Sequence, residues 1–129
     1  MTVDHAAAGD LLDRYGRAWE TFDGDAWTDL FTDDVEYHRD PFEPPMVGSN
    51  AVRAYLLKLA ETEEQVEMTM ERHWAVEATV LAAWHASYIE LPDRARVRIA
   101  GFMTLDVAPD GRIARLREWW HLRKTPAAG

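Results

Sequence analysis

Asp40 stands directly before Pro41 at the end of a short run, Val35 to Asp40, and Pro44, Pro45 and Gly48 follow it. A carboxyl held at a strand end beside aromatic rings loses hydration, and desolvation raises its pKa toward the range in which a carboxylate shuttles protons. Asp40 is therefore the first candidate for a general base; its structural alternatives are to cap the proline loop or to pair with Arg39. Strand alternation turns either Tyr37 and Arg39 or His38 and Asp40 inward, and both pairs only across a bulge. The sequence leaves that register open. Tyr15 has a phenol able to donate to a developing oxyanion in a dry site, or to serve as a core tyrosine bonded to backbone. Glu118 lies in the row Leu116, Glu118, Trp120, Leu122, an acid on an apolar strand face, which marks a functional group or the partner of a buried arginine. Tyr37 and Glu118 form the second tier of polar groups. His38 and His85 titrate near neutral pH as a type, but His85 alternates away from Trp84, Ala86 and Tyr88. The 5 histidines are scattered without metal-ligand spacing, so no metal and no cofactor are expected. Phosphate-cradling glycine loops and a nucleophilic serine elbow are absent.

These groups need walls. The chain of 129 residues carries 6 Trp, 4 Tyr and 4 Phe, more aromatic bulk than a solid core of this size requires. Trp19, Trp84, Tyr88, Met103 and Trp120 are the expected lining of a cavity that takes a small apolar or polycyclic molecule. Acidic residues number 23 against 14 basic, a net charge of -9 that repels a phosphate backbone, so nucleic acid is not an expected partner. With 0 Cys, disulfide scaffolds, thiolate metal sites and cysteine nucleophiles are excluded. No stretch approaches the roughly 20 apolar residues of a bilayer span, and the first residues lack the basic and apolar regions of a signal peptide. The expectation is a cytoplasmic protein of one domain, residues 1–129, without membrane contact.

The positioning elements follow from periodicity. Leu11, Leu12, Tyr15, Ala18, Trp19 and Phe22 recur at helical spacing and predict a first helix from Asp10 to Phe22. Asp25 is the expected N-cap of a short second helix carrying Ala26, Trp27, Leu30 and Phe31. Val35 to Asp40 reads as a strand, and the prolines after it as an ordered loop. Ser49 caps a third helix with Val52, Tyr55, Leu56 and Leu59, ending near Glu63. Four strands then run from Val66 to Ala78, Val80 to Leu91, Arg96 to Val107 and Ile113 to Arg123, an antiparallel meander with its clearest turn at Pro109-Asp110-Gly111. Val97, Ile99, Gly101, Met103 and Leu105 share the inward face of the third of these. Helices followed by a curved antiparallel sheet make an α+β fold, a cone with about three helices on its concave face. On the outer face Arg96, Arg98, Arg115, Arg117, Trp119 and His121 gather, an arginine and aromatic mixture favoured at interfaces.

The order Tyr15 and Trp19, then Leu30-Phe31-Thr32-Asp33-Asp34-Val35, then Gly48, then Gly111-Arg112-Ile113 resembles the nuclear transport factor 2-like superfamily over nearly the whole chain. Members of that fold pair through the outer sheet face, so the resemblance implies a homodimer. Two enzyme groups within it look similar. The ketosteroid isomerases match at Tyr15, at Asp33-Asp34, at Asp40-Pro41 with one extra residue, and at Trp120; this implies Tyr15 as oxyanion donor and Asp40 as base. The position of that family's second acid falls on Met103. The limonene-epoxide-hydrolase-like enzymes resemble Tyr37-His38-Arg39-Asp40-Pro41 and Arg117 to Leu122, which implies Glu118 as a site acid and Tyr37 as a water-positioning tyrosine. Their remaining arginine and aspartate positions fall on Trp84 and Ala86. Common to both is the scaffold of the polyketide-cyclase-like, or SnoaL-like, branch. The implied activity is cofactor-independent proton transfer, as in isomerisation, dehydration or cyclisation. A ligand-binding or dimeric adaptor protein without chemistry is the alternative.

Overall fold

Asp4 fixes where the first helix starts. Its carboxylate accepts from the Ala7 amide at 2.7 Å, so α1 runs His5–Thr21, a turn and more earlier than the apolar spacing alone indicates. Phe22 closes it in the left-handed region at φ 50. Asp23, not Asp25, caps α2 (Gly24–Thr28), its carboxylate accepting from the Ala26 amide at 3.1 Å. The expected extension of this helix through Phe31 does not form, because Phe31 opens β1 (Phe31–His38) and pairs with Ile113. The computed structural model describes residues 1–127.

After β1 a two-residue strand, β2 (Met46–Val47), returns antiparallel beside it. The loop reading of the proline run had concealed β2. Gly48, at φ 93, precedes α3 (Ser49–Leu59), so Ser49 is the first helical residue and contributes no side-chain cap. The helix stops short of Glu63, which instead opens β3 (Glu63–Val76). β4 (Thr79–Glu90), β5 (Ala95–Val107) and β6 (Ile113–Thr125) complete the expected meander.

The six strands form one unclosed sheet in the order β2-β1-β6-β5-β4-β3. The pairing of β1 with β6 is parallel, so the sheet is mixed and not purely antiparallel. A parallel neighbour needs a long crossover, and here α3 and the rest of the meander supply it. Register shifts between Glu64 and Glu67, between Met70 and Arg72 and between Asp106 and Val107 bend the long strands. The three helices sit in the resulting concavity. α1 lies on β3, with Gly16 over Met68 and the Glu20 carboxylate accepting from the Met68 amide at 3.0 Å. Leu12, Phe31, Val52, Leu56, Leu105 and Leu116 fill the closed end of the cone. Its wide end is left to aromatic and polar side chains. No helix among the described residues is long and apolar enough to cross a membrane.

Candidate functional site

The alternation of β1 decides the register at its end. Val35 and Tyr37 are buried, and Tyr37 lies opposite Leu116 of β6. Arg39, two residues on, is therefore turned toward the same interior and lines it. His38 faces out and pairs with Glu36 at 3.3 Å. Asp40 is exposed, its carboxylate accepting from the Phe42 amide at 2.8 Å, which caps the proline loop. Asp40 thus stands outside the cavity, and the expectation that it faces a dry pocket is corrected; the turn needs its carboxylate.

Three other candidates meet. α1 brings Tyr15, β1 brings Tyr37 and β6 brings Glu118 to one point, all buried. Tyr37 donates to Glu118 Oε1 at 2.5 Å, Tyr15 donates to the same oxygen at 3.0 Å, and the two phenol oxygens are 2.9 Å apart. Both phenols are on Oε1, so Oε2 has no protein partner among the described residues. Burial raises the Glu118 pKa; the hydrogen bonds from Tyr37 and Tyr15 and the charge of Arg39 work against that rise. Burial, reinforced by the charge of Glu118, also pushes both phenols well above their ordinary value, so they remain donors.

Around this point lies a cavity of about 150 Å³. Trp19, Trp84, Tyr88 and Trp120 line it as expected, whereas Met103 is fully buried beneath it and reaches no surface. Met103 nonetheless pairs directly with Glu118 across β5 and β6. The position where the ketosteroid isomerase resemblance asks for an acid is apolar, and an acid stands on the next strand beside it. Trp84 lies across Gly101: a Cβ there would meet its ring at 2.6 Å and the Trp119 carbonyl at 2.9 Å. Its Nε1 is buried and without an acceptor among the described residues.

A second carboxyl in the cavity was not legible. Glu63 is buried at 7% exposure and accepts from Trp19 Nε1 at 3.0 Å. Burial pushes it up to about 7, with the Trp19 hydrogen bond opposing and the charge of Glu90 adding. The apolar pattern places Glu63 near the end of the third helix. Its one sequence signal is its place in Glu61 to Glu64, between the two elements, where the first acid of a strand is turned inward. Arg39 lines the cavity, the first of the two registers the sequence left open, and Tyr55 was missed as lining; the guanidinium sits 5.1 Å from the Tyr55 ring centroid. On the outer face Arg96, Arg98, Arg117 and Trp119 are exposed as expected, and Arg115 pairs with Glu36 at 3.6 Å.

The family model described as a SnoaL-like domain matches residues 12–116. The chain belongs to the SnoaL-like domain family. Among curated proteins none matches the sequence. Solved structures share the fold of this SnoaL-like chain. SalBIII, an epoxide hydrolase/cyclase-like enzyme of pyran ring formation in the polyether salinomycin, is 21% identical over 94% of this chain and 98% of its own, with a TM-score of 0.83. A limonene-epoxide-hydrolase-like enzyme of M. tuberculosis is 22% identical over 90% of this chain and 84% of its own, with a TM-score of 0.77. The Δ5-3-ketosteroid isomerase of a Mycobacterium species is 17% identical over 92% of this chain and 98% of its own, with a TM-score of 0.78. At these identities the likeness is one of fold.

Proposed function

We propose that this SnoaL-like chain is a cofactor-independent enzyme that moves protons on a small molecule held in the cone, as in isomerisation, dehydration or cyclisation. The observation that carries this reading is the presence of two buried carboxyls, Glu118 and Glu63, in one aromatic cavity. A buried carboxyl has a reason to persist only when it is paired or when its proton is used, and neither acid has a cation within ion-pair distance among the described residues. Glu118 is the general acid: Tyr15 and Tyr37 hold Oε1, leaving Oε2 to present a proton to a substrate oxygen. Glu63, poised near neutrality, is the base that removes a proton from carbon or hydroxyl. Each turnover passes one proton to the substrate and takes one from it, so the two carboxyls exchange states and reset through solvent. This assignment replaces Asp40 as base and makes Tyr15 a holder of the acid, where the sequence suggested an oxyanion donor. The neighbours support proton chemistry as a class, their names spanning cyclase-like, hydrolase and isomerase activities.

The test is conversion of a β,γ-unsaturated cyclohexenone to its conjugated isomer, followed in the ultraviolet. Wild type is expected to turn it over, and Glu63→Gln to slow it by about a hundredfold or more, the usual weight of a general base. Equal rates in the two proteins would exclude Glu63 as the base. The volume of about 150 Å³ suits one ring, so a polycyclic substrate would have to extend through the mouth. A homodimer through the outer face is proposed with it. Arg98 lies directly opposite Arg123 on that face, a like-charge pair that is unfavourable in isolation and is relieved when acidic residues of a second copy, such as Glu67, cover it.

A further inference from the structure

The cavity contains a cation that the proton-transfer scheme does not use. Among the described residues Arg39 is the one basic residue lining it, in a chain with 23 acidic and 14 basic residues. It is held from both ends: its carbonyl accepts from Trp120 Nε1 at 3.1 Å, and its guanidinium lies 5.1 Å from the Tyr55 ring centroid. Yet it forms no ion pair among the described residues. The adjacent Asp40 is committed to the Phe42 amide, and Glu118 is committed through Oε1 to the two phenols. The guanidinium therefore presents its planar fork of donors at the rim, beside the half-exposed side chains of Trp120 and Leu122 at 39% and 44% exposure.

We propose that Arg39 is a specificity determinant that selects a ring-sized carboxylate, binding the carboxylate at the mouth with the ring seated among the tryptophans. Glu63, the base and so the ionised carboxyl of the cavity, would turn an anion away if nothing opposed it, whereas a neutral ligand needs no cation at the entrance. An arginine without a partner is the group that pairs bidentately with a carboxylate. The interior volume of about 150 Å³ accommodates a benzene-sized body and little more, so the charged group must remain at the rim where Arg39 stands. This inference rests on the same cavity being the substrate site, but it concerns binding, so its outcome is separate from whether Glu63 and Glu118 transfer protons.

Isothermal titration calorimetry with benzoate and benzamide, which share size and shape and differ in charge, tests it. Wild type is expected to bind benzoate about tenfold more tightly than benzamide, the worth of one charge-assisted pair at a partly exposed site. In Arg39→Gln the two affinities are expected to come within about twofold, with benzamide binding unchanged, which also shows that the cavity is intact. Arg39→Lys, a point charge without the fork, is expected to fall between them. Benzamide binding as well as benzoate in wild type, a benzoate preference that survives Arg39→Gln, or binding of neither compound would each overturn the proposal.

Discussion

Two phenols on one carboxylate oxygen define the chemistry of Glu118. Tyr37 at 2.5 Å is the closer donor, and its removal leaves a buried acid with less support for its charge. Tyr37→Phe is expected to raise the Glu118 pKa further and to slow turnover of the cyclohexenone probe by about tenfold to a hundredfold, with the alkaline limb of the pH profile displaced upward. A profile that moves down or does not move would contradict the role given to Tyr37. Glu63 makes a stability prediction with a definite sign. Its folded pKa of about 7 lies above its ordinary 4.5, so the native state holds this proton more tightly than the unfolded chain. The stability this contributes is complete below about pH 4.5 and is lost as pH rises through 7. Glu63→Gln is therefore expected to gain about 1 to 3 kcal/mol relative to wild type at pH 8, and much less at pH 4, in paired denaturant titrations. A loss at pH 8 would contradict burial as the dominant cause. Asp40→Asn, in contrast, is expected to leave turnover unchanged, since the Asp40 carboxylate is exposed and engaged with the Phe42 amide of its own loop.

At the scale of elements, how legible a residue was depended on whether its neighbours declared a face. Tyr15 and Trp19 sit in a helical stripe and Glu118 in an apolar strand row, and all three came out on the inner surface. Asp40 did not, because its fate turned on one register choice at the end of a strand, and a one-residue change reverses every side chain. The pairing of Tyr37 with Leu116, beyond a register shift between Phe31 and Glu36, settled that choice, a contact between distant parts of the chain that no local pattern announces. Glu63 was missed for a related reason, because it lies where one period gives way to another. Gly101 was legible as an inward strand position but not as a site requirement, which appears only once Trp84 is seen lying across it. Gly101→Ala places a methyl 2.6 Å from that ring and 2.9 Å from the Trp119 carbonyl, and backbone cannot yield as a side chain can. The variant is expected to lose about 3 kcal/mol, to lower Tm by several degrees, and to lose ligand binding as Trp84 is pushed into the cavity. Unaltered binding would show that the ring has somewhere else to go.

Taken as a whole molecule, the cone separates two surfaces of contrasting composition. The inner one concentrates aromatic rings and acids in a chain of net charge -9, and the outer one collects arginines. The order of helices and strands made that division readable from the start, since period-two strands assign residues to faces without knowing their partners. Light scattering is expected to give twice the 14.8 kDa of one chain, with Arg98→Glu restoring the monomer. A wild-type monomer would return the outer face to solvent without touching the cavity. The central claim, that two carboxyls in one aromatic chamber are held ready to exchange protons, is tested most directly by an NMR titration of the glutamate carboxyl carbons, assigned with Glu63→Gln and Glu118→Gln. One resonance titrating near 7 and vanishing in Glu63→Gln, and a second above the ordinary carboxyl range vanishing in Glu118→Gln, is the expected result. Glutamates that all titrate in the ordinary range near 4.5 would contradict it.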